Sequence, residues 1–367
     1  MRSALGCVGL GALLLLVAGT FDAEPLYVSG SALVLLGVGA LVWIAAGSRG
    51  ASVTRVLAAR SVMEGEPLTV RIEVCAGRLP LPPGSVDEPL LPEPAPLRAG
   101  GRSMKFRVDA IFERRGRRTL PPPSLVLRDP LGLVERVICG ERSDEVLVLP
   151  RTSPVTAAAS GGGEGVSAQA RAMLTAAAET EIDGLRPHRE GTPAARIHWP
   201  AYARGAGLME RNLRSESDSR PLVVVDPRGA AEPEHLDASV RAAGSLLLHF
   251  ARRGGCAILL PGDRRATVVE ADLLGWPAVH VRLALLDDAS GPGLYAAQNR
   301  RGLLVFVAAR SIDRPPRALG KTPGGCLLVV PGGLPGRRAV LEVSGCRAYV
   351  VGRTGAAAAV AAVGTAS

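Results

Sequence analysis

The chain has 367 residues, a formal net charge of +9 and 47% hydrophobic residues, with only 3% aromatic. This length allows two domains with separate cores. The arginines that supply nearly all the positive charge are interleaved with acids, no basic run exceeds a dipeptide, and aromatic residues for base stacking are scarce. The composition therefore argues against a nucleic-acid binder, which would show steeply salt-dependent retention on DNA. A solvated Arg/Glu surface facing anionic lipid or a partner is favoured.

Two uncharged apolar runs, residues 4–20 and 27–47, open the chain. Each is close to the ~20 residues that a membrane-spanning helix requires. A cleavable signal peptide is the alternative interpretation of the first run. We disfavour it because the second run follows within a few residues and no convincing cleavage site lies between them. Residues 1–50 are therefore predicted to form a transmembrane helical hairpin in a lipid bilayer.

The charges around the hairpin predict its orientation. The short linker carries only the acids Asp22 and Glu24, whereas Arg2 precedes the first helix and Arg49 and Arg55 follow the second. By the positive-inside rule, both termini are expected in the cytoplasm. The sequence thus predicts a plasma-membrane protein with two spans and a cytoplasmic remainder.

Residues 51–150 show short alternating segments punctuated by Pro and Gly, which predict a small antiparallel β-sandwich. The segments are 68–74, 104–110, 125–127 and 145–149. The proline-rich residues 79–96 are expected to form a loop or an edge. Residues 114–118, Arg-Arg-Gly-Arg-Arg, are expected to form a hairpin turn with a solvated charged tip; contact with lipid headgroups or a partner is the alternative.

Residues 129–133, Asp-Pro-Leu-Gly-Leu, have turn chemistry at both ends and are interpreted as structural.

Residues 151–180, rich in Ala, Gly and Ser, are predicted to be a flexible linker. Residues 181–220 follow, in which arginines and acids nearly balance. Because Arg binds carboxylates through a planar fork, this segment is predicted to be an ordered connector latched by its own ion pairs.

From residue 221 onward, apolar strands alternate with helices, which predicts a mostly parallel sheet covered on both faces. The expected strands are 222–226, 256–260, 266–270, 303–308, 326–330 and 347–351, and the expected helices 235–253 and 276–286. Ligands of such sheets bind at the carboxyl ends of strands, where Asp226 lies.

Asp226 is a weak candidate for a metal ligand. Magnesium would require further oxygen ligands close by, but Arg228 and Ala230 stand two and four residues on. We expect Asp226 to bond Arg228 or a neighbouring backbone amide, and no metal or other cofactor is predicted. The six cysteines lack paired spacing and are expected to be reduced in a cytosolic setting, with Cys256 and Cys326 buried.

Catalysis has little support in the sequence. His188 and His198 lie ten residues apart, and Trp199 adjoins the second. No G-x-S-x-G or H-E-x-x-H motif accompanies them. A packed, hydrogen-bonded His198–Trp199 pair is favoured over an acid/base site.

The connector resembles the signature of the bacterial family called domain of unknown function 58. The matching residues are Gly184, Leu185, Arg186, Gly191, Arg196, His198, Trp199, Arg204 and Arg211. The Arg115-Gly116 pair and residues 129–133 also resemble the sandwich segment of that family. Two positions depart from the family pattern, since His188 stands where Tyr is frequent and Thr192 where Asp is usual.

The resemblance implies a C-terminal domain similar to von Willebrand factor type A, and a partner that is a MoxR-type AAA+ ATPase. A transglutaminase-like membrane protein is a second implied partner. The implied role is a membrane-anchored adaptor in complex assembly, chaperone-like or envelope-stress functions. Asp226 lacks the serines of a metal-ion-dependent adhesion site. The alternative is an enzyme or scaffold acting on cell-envelope precursors at the inner leaflet, with His198 and Asp226 as its candidate residues.

Overall fold

The computed structural model of the chain describes residues 2–158, 185–187, 199–205, 207–211, 220–288, 291, 302–322 and 324–351. Its internal contacts divide the chain into two compact units. The first consists of Met1–Glu113 and Arg117–Val148, and the second of Arg114–Gly116 and Leu149–Ser367.

The first unit begins with two helices, α1 (Arg2–Phe21) and α2 (Glu24–Gly47). Both are long and apolar enough to cross a membrane. Asp22 turns the chain between them in the left-handed region, with φ of 49°, which Asp tolerates better than most residues. Pro25 lies in the first turn of α2, where its missing N–H breaks no helical hydrogen bond.

Glycines bring the two helices together. A Cβ atom on Gly30 would lie 2.9 Å from the carbonyl oxygen of Gly11, and one on Gly37 would lie 3.0 Å from that of Ala4. Such small residues let two apolar helices pack backbone to backbone. Large apolar side chains face outward instead: Leu16 is 65% exposed and Leu35 is 72% exposed. The hairpin therefore places small residues inside and large apolar residues outside.

The rest of the first unit is made of strands. They are β1 (Ser52–Leu57), β2 (Ser61–Met63), β3 (Pro67–Cys75), β4 (Gly84–Asp87), β5 (Ala95–Leu97), β6 (Ser103–Ile111), β7 (Gly116–Leu120), β8 (Ser124–Arg128), β9 (Glu135–Cys139) and β10 (Asp144–Leu149). They form three sheets with the orders β1-β3-β6, β2-β10-β7 and β5-β4-β8-β9. The first and third sheets are antiparallel throughout.

One core joins the three sheets. Alternate residues of β3, β8 and β10 point into it, among them Val70, Leu125 and Val146, all fully buried. This burial pattern is the period of two that the sequence shows at these strands. The four strands predicted here are present, each extended by one or two residues.

Two local features of this unit bear on the predictions. The proline-rich residues 79–96 contain β4, which lies inside a sheet, so the expectation of a loop or edge is wrong there. The reason is that Gly84–Asp87 is free of proline and can pair on both sides.

The turn at residues 129–133 is confirmed. Asp129 accepts hydrogen bonds from the amides of Leu131 (3.0 Å) and Val134, and Gly132 has φ of 70°.

The second unit contains the remaining elements of the described residues. They are β11 (Thr156–Ala157), β12 (Leu185–Pro187), α3 (Trp199–Ala203), β13 (Met209–Arg211), β14 (Leu222–Asp226), α4 (Pro233–Gly254), β15 (Cys256–Leu259), β16 (Thr267–Val269), α5 (Trp276–Ala284), β17 (Leu304–Ala308), a 3-10 turn (Leu319–Lys321), β18 (Cys326–Pro331), β19 (Leu341–Val343) and β20 (Cys346–Val351). β11 lies within the predicted linker, and residues 159–180 of that linker lie outside the described residues.

A mixed sheet organises this unit. Its order is β11-β19-β20-β18-β17-β14-β15-β16, in which seven strands have three or more residues and β11 has two. Only the four central strands are mutually parallel. β16 and β20 run antiparallel to their neighbours. The prediction of a mostly parallel sheet is therefore wrong at both margins, where short connections return the chain by hairpins.

Both faces of the central strands are buried. Val223 and Val225 of β14 pack with α4 and α5, whereas Leu222 and Val224 pack on the opposite face against Ile312 and other apolar residues. A strand buried on both sides reads as a continuous apolar run, as Leu222–Asp226 does before its final acid.

Candidate functional site

Asp226 ends β14 at the point where the chain changes direction across the sheet. From β14 the chain proceeds through α4 to β15 on one side, and β17 lies on the other side. Crevices for ligands form at such switch points, beyond the carboxyl ends of the strands. Asp226 is 1% exposed. The strand thus ends in one buried carboxylate at the edge of the sheet where such crevices form.

Arg228 holds both oxygens of this carboxylate. Its Nε donates to Asp226 Oδ1 at 2.8 Å and its Nη2 donates to Oδ2 at 3.1 Å. The Arg228 amide also donates to Oδ1, at 3.4 Å. The hydrogen bond to Asp226, with the attraction of its charge, raises the pKa of Arg228 above its ordinary value. The expected pairing with Arg228 and a neighbouring amide is confirmed.

The switch point therefore carries a compensated carboxylate. Any cation that bound Asp226 would have to displace Arg228, whose side chain is 48% exposed and lies on the surface. In the described part of the chain, no three His, Cys, Asp or Glu side chains cluster closely enough to hold a metal ion. The arrangement can orient the loop after β14, and Arg228 leaves one guanidinium nitrogen, Nη1, outside the pair.

A second charged cluster lies at the beginning of α4. Asp237, 3% exposed, accepts from Arg114 Nε at 2.9 Å and lies 3.1 Å from Arg115 Nε. Arg115 Nη1 donates to the carbonyl oxygens of Leu283, Ala284 and Leu286 at 3.0–3.2 Å. These carbonyls end α5, where a cation is favoured by the helix dipole.

The solvated tip expected at residues 114–118 is therefore wrong at Arg115, which is 8% exposed. Its partners lie more than a hundred residues away in sequence, so a local charge pattern gave no signal of them. Arg117 and Arg118 are exposed, as expected, but they lie within β7. The predicted hairpin turn is also wrong, because β6 and β7 belong to different sheets.

The signature segment is described in part. β12 and β13 form an antiparallel ribbon, in which the backbone of Leu185 lies opposite that of Arg211 and the backbone of Arg186 opposite that of Glu210. The ribbon thus brings the two ends of the signature side by side. Gly184, Gly191, Arg196 and His198 lie outside the described residues, so the predicted His198–Trp199 pair remains a prediction. One arginine of the connector pairs beyond it: Arg220 Nη1 lies 2.6 Å from Glu270 Oε1.

Between the two strands, α3 presents aromatic side chains to solvent. Trp199 is 57% exposed and Tyr202 is 53% exposed, with ring centroids 6.2 Å apart in an edge-to-face arrangement. Arg204 is exposed beside them, and Leu208 is 45% exposed. Tyr202 was not predicted as a site residue, although its position three residues after Trp199 places both side chains on one helix face.

The cysteines are all free. Cys256, Cys326 and Cys346 are buried, which confirms the prediction for the first two. Burial raises the pKa of Cys326 to about 12 and that of Cys346 to about 11. Both thiols are therefore protonated and unreactive in the folded unit, which makes them packing residues.

No protein-family model matches the chain, and no curated protein matches it in sequence. The resemblance to the domain of unknown function 58 family accordingly stays a prediction carried by the motif residues.

Proposed function

We propose that the chain is a membrane-anchored adaptor of the domain of unknown function 58 type, which works with a MoxR-type AAA+ ATPase. Complex assembly, chaperone-like action or envelope stress would be its setting. The observation that carries the proposal is the exposed Trp199–Tyr202 pair within the signature segment. Exposed aromatic pairs flanked by Arg have the composition of protein-binding hot spots.

The strand order of the second unit supports a type A-like assignment. Numbered from β14, the strands β16, β15, β14, β17 and β18 follow the order 3-2-1-4-5. This is the order of doubly wound α/β sheets, with a switch point beside the first strand. The antiparallel edge and the hairpin of β19 and β20 are variations at the margins of that plan.

The membrane anchor is supported by the two apolar helices and by the charges around them. Large apolar side chains face outward from the hairpin, as lipid contact requires. Acids in the linker and arginines at both ends support a cytoplasmic location of the two termini under the positive-inside rule. A transglutaminase-like membrane protein is a second proposed partner.

Affinity purification of the full chain from its own cells in mild detergent, with and without ATP, tests the adaptor role. We expect a MoxR-type ATPase to be retained in a nucleotide-dependent manner. The double variant W199A/Y202A should lose that ATPase because, among the described residues outside α1 and α2, these two are the exposed aromatic side chains.

The matched control is Leu274→Ala, which removes a side chain that is 82% exposed outside the signature. It should leave the ATPase bound. Retention of the ATPase by W199A/Y202A at the level of the control would contradict the proposed surface, and its absence from every purification would contradict the adaptor role.

An enzyme acting on envelope precursors is supported less well. Of its two candidate residues, Asp226 is engaged by Arg228 through both oxygens. A general base must reach its substrate proton directly, and three donors of Arg228 already use most of the acceptor sites of this carboxylate.

A further inference from the structure

A cleft of about 690 Å³ opens in the second unit beyond the carboxyl end of β18. Its walls are the loop that follows this strand and the facing side chains of β19 and β20. A cavity of this size accommodates a small molecule. It lies at the same edge of the sheet as Asp226, because β14, β17 and β18 run parallel.

The loop is held in shape by β20. The Leu334 amide donates to Tyr349 Oη at 2.9 Å, and Tyr349 is buried. Gly333 has φ of 94°, and a Cβ atom there would lie only 2.8 Å from Tyr349 Oη. Glycine is therefore required at this position both for the backbone conformation and for close approach to the tyrosine. The cleft is formed by fixed backbone and not by a loose loop.

Arginines dominate the lining of the cleft. Among the described lining residues, Arg337, Arg338 and Arg347 face one acid, Glu342. Arg347 Nε lies 3.2 Å from Glu342 Oε1, so this acid is already shared with one guanidinium. Arg337 and Arg338 are both exposed. The lining thus holds two positive charges more than negative ones.

The loop after β17 adds charge of the same sign. Residues 309–322 hold Arg310, Arg314, Arg317 and Lys321 against one acid, Asp313. Basic groups gathered around a concave site raise the local concentration of anions.

We propose that this cleft binds a phosphate-bearing small molecule, either a pyrophosphate or a phosphate ester. Guanidinium forks match phosphate oxygens through paired hydrogen bonds. Three guanidinium groups around one cleft can offer a phosphate dianion several charge-assisted hydrogen bonds at once. The site is separate from the Trp199–Tyr202 surface and does not depend on the adaptor role.

Calorimetric titration of the full chain in phosphatidylcholine nanodiscs tests the site. The two probes are inorganic pyrophosphate and dioctanoyl phosphatidic acid, each at constant ionic strength. We expect saturable binding of at least one probe, weakened roughly tenfold or more in R337Q/R338Q because two charge-assisted contacts are lost. Both side chains are exposed, and thermal unfolding of the variant confirms that it folds.

The control is R252Q/R253Q, which removes the same charge from exposed arginines at the carboxyl end of α4. This variant should bind either probe with an affinity within about twofold of that of the parent chain. Arginine-dependent binding of pyrophosphate identifies a soluble phosphate ligand, and arginine-dependent binding of phosphatidic acid alone identifies a lipid headgroup. Equal weakening by both double variants, or binding of neither probe at millimolar concentration, overturns the proposal.

Discussion

At the residue scale, Arg228 and Arg115 each pair with a buried carboxylate, but at very different distances along the chain. Arg228 neutralises a carboxylate two residues away, so spacing alone predicts the contact. Arg115 joins Asp237 to the carbonyls that end α5, and these partners come from distant parts of the chain. Sequence proximity encodes the first pair; only tertiary packing creates the second.

Arg115→Ala should strongly destabilise the second unit. The substitution leaves the 4%-exposed side chain of Asp237 with only the half-exposed Arg114 as a cation, and it leaves three carbonyls at the end of α5 without their shared donor. Breaking one partner of a buried ion pair costs roughly 3–5 kcal/mol. Urea unfolding of the detergent-solubilised chain, followed by tryptophan fluorescence, measures the change in the free energy of unfolding.

Arg117→Ala is the matched control for this measurement. Arg117 lies 3.5 Å from Glu145, and both side chains are 60% exposed. Such a surface pair contributes at most about 1 kcal/mol to the free energy of unfolding. Similar losses for the two variants would show that Arg115 is not the buried anchor described here.

His249 predicts a pH dependence of stability. Desolvation, with the charges of Arg253 and Arg252, lowers the pKa of His249 from its ordinary 6.5 to about 4 in the folded chain. Between these values the unfolded chain binds the proton and the folded chain does not. Stability is therefore unaffected above pH 6.5 and is lost as pH falls from 6.5 to about 4.

The half-buried ring limits the size of this effect to about 1–2 kcal/mol. Urea unfolding at about pH 7 and about pH 4.5 should show this loss superimposed on that of other groups. His249→Gln should reduce the loss by that amount. An unchanged pH profile in the variant would mean that His249 titrates normally.

At the element scale, the helical hairpin depends on its inward glycines. In Gly30→Leu the new side chain would meet the Gly11 carbonyl and Leu15 at 2.9 Å. Overpacking of this kind costs about 1–3 kcal/mol. The thermal unfolding midpoint of the solubilised chain should fall by several degrees.

Gly39→Leu is the control in the same helix, because no atom lies within 4 Å of a Cβ atom built at Gly39. The midpoint should stay that of the parent chain. If Gly39→Leu lowered the unfolding midpoint as much as Gly30→Leu, the destabilisation would not come from overpacking between the two helices.

The same scale shows what the sequence encodes about its elements. The apolar runs of β14, β17 and β18 predict their strands to within one residue, since burial on both faces leaves an unmistakable pattern. β4, β11 and β19 were not predicted. They have two to four residues, too few for a periodic signal, and their pairing is decided by strands elsewhere in the chain.

At the scale of the whole molecule, the proposed orientation can be tested with the cysteines of the chain. Cys75 and Cys139 are exposed and free. A membrane-impermeant maleimide should label them only after cells are permeabilised, because the proposed topology places them in the cytoplasm.

Asp22→Cys completes this test, since residue 22 lies in the turn between α1 and α2. This new thiol should be labelled in intact cells. Labelling of Cys75 in intact cells would reverse the orientation, and a thiol at position 22 shielded in both conditions would argue against a spanning hairpin.

The two outermost strands of the eight-stranded sheet are short. β11 has two residues and β16 has three, whereas the strands between them have three to six. Margins this short expose few unpaired amides and carbonyls to a neighbouring chain. Copies held side by side by the proposed membrane anchor would therefore find little backbone at these margins through which to extend one another's eight-stranded sheet.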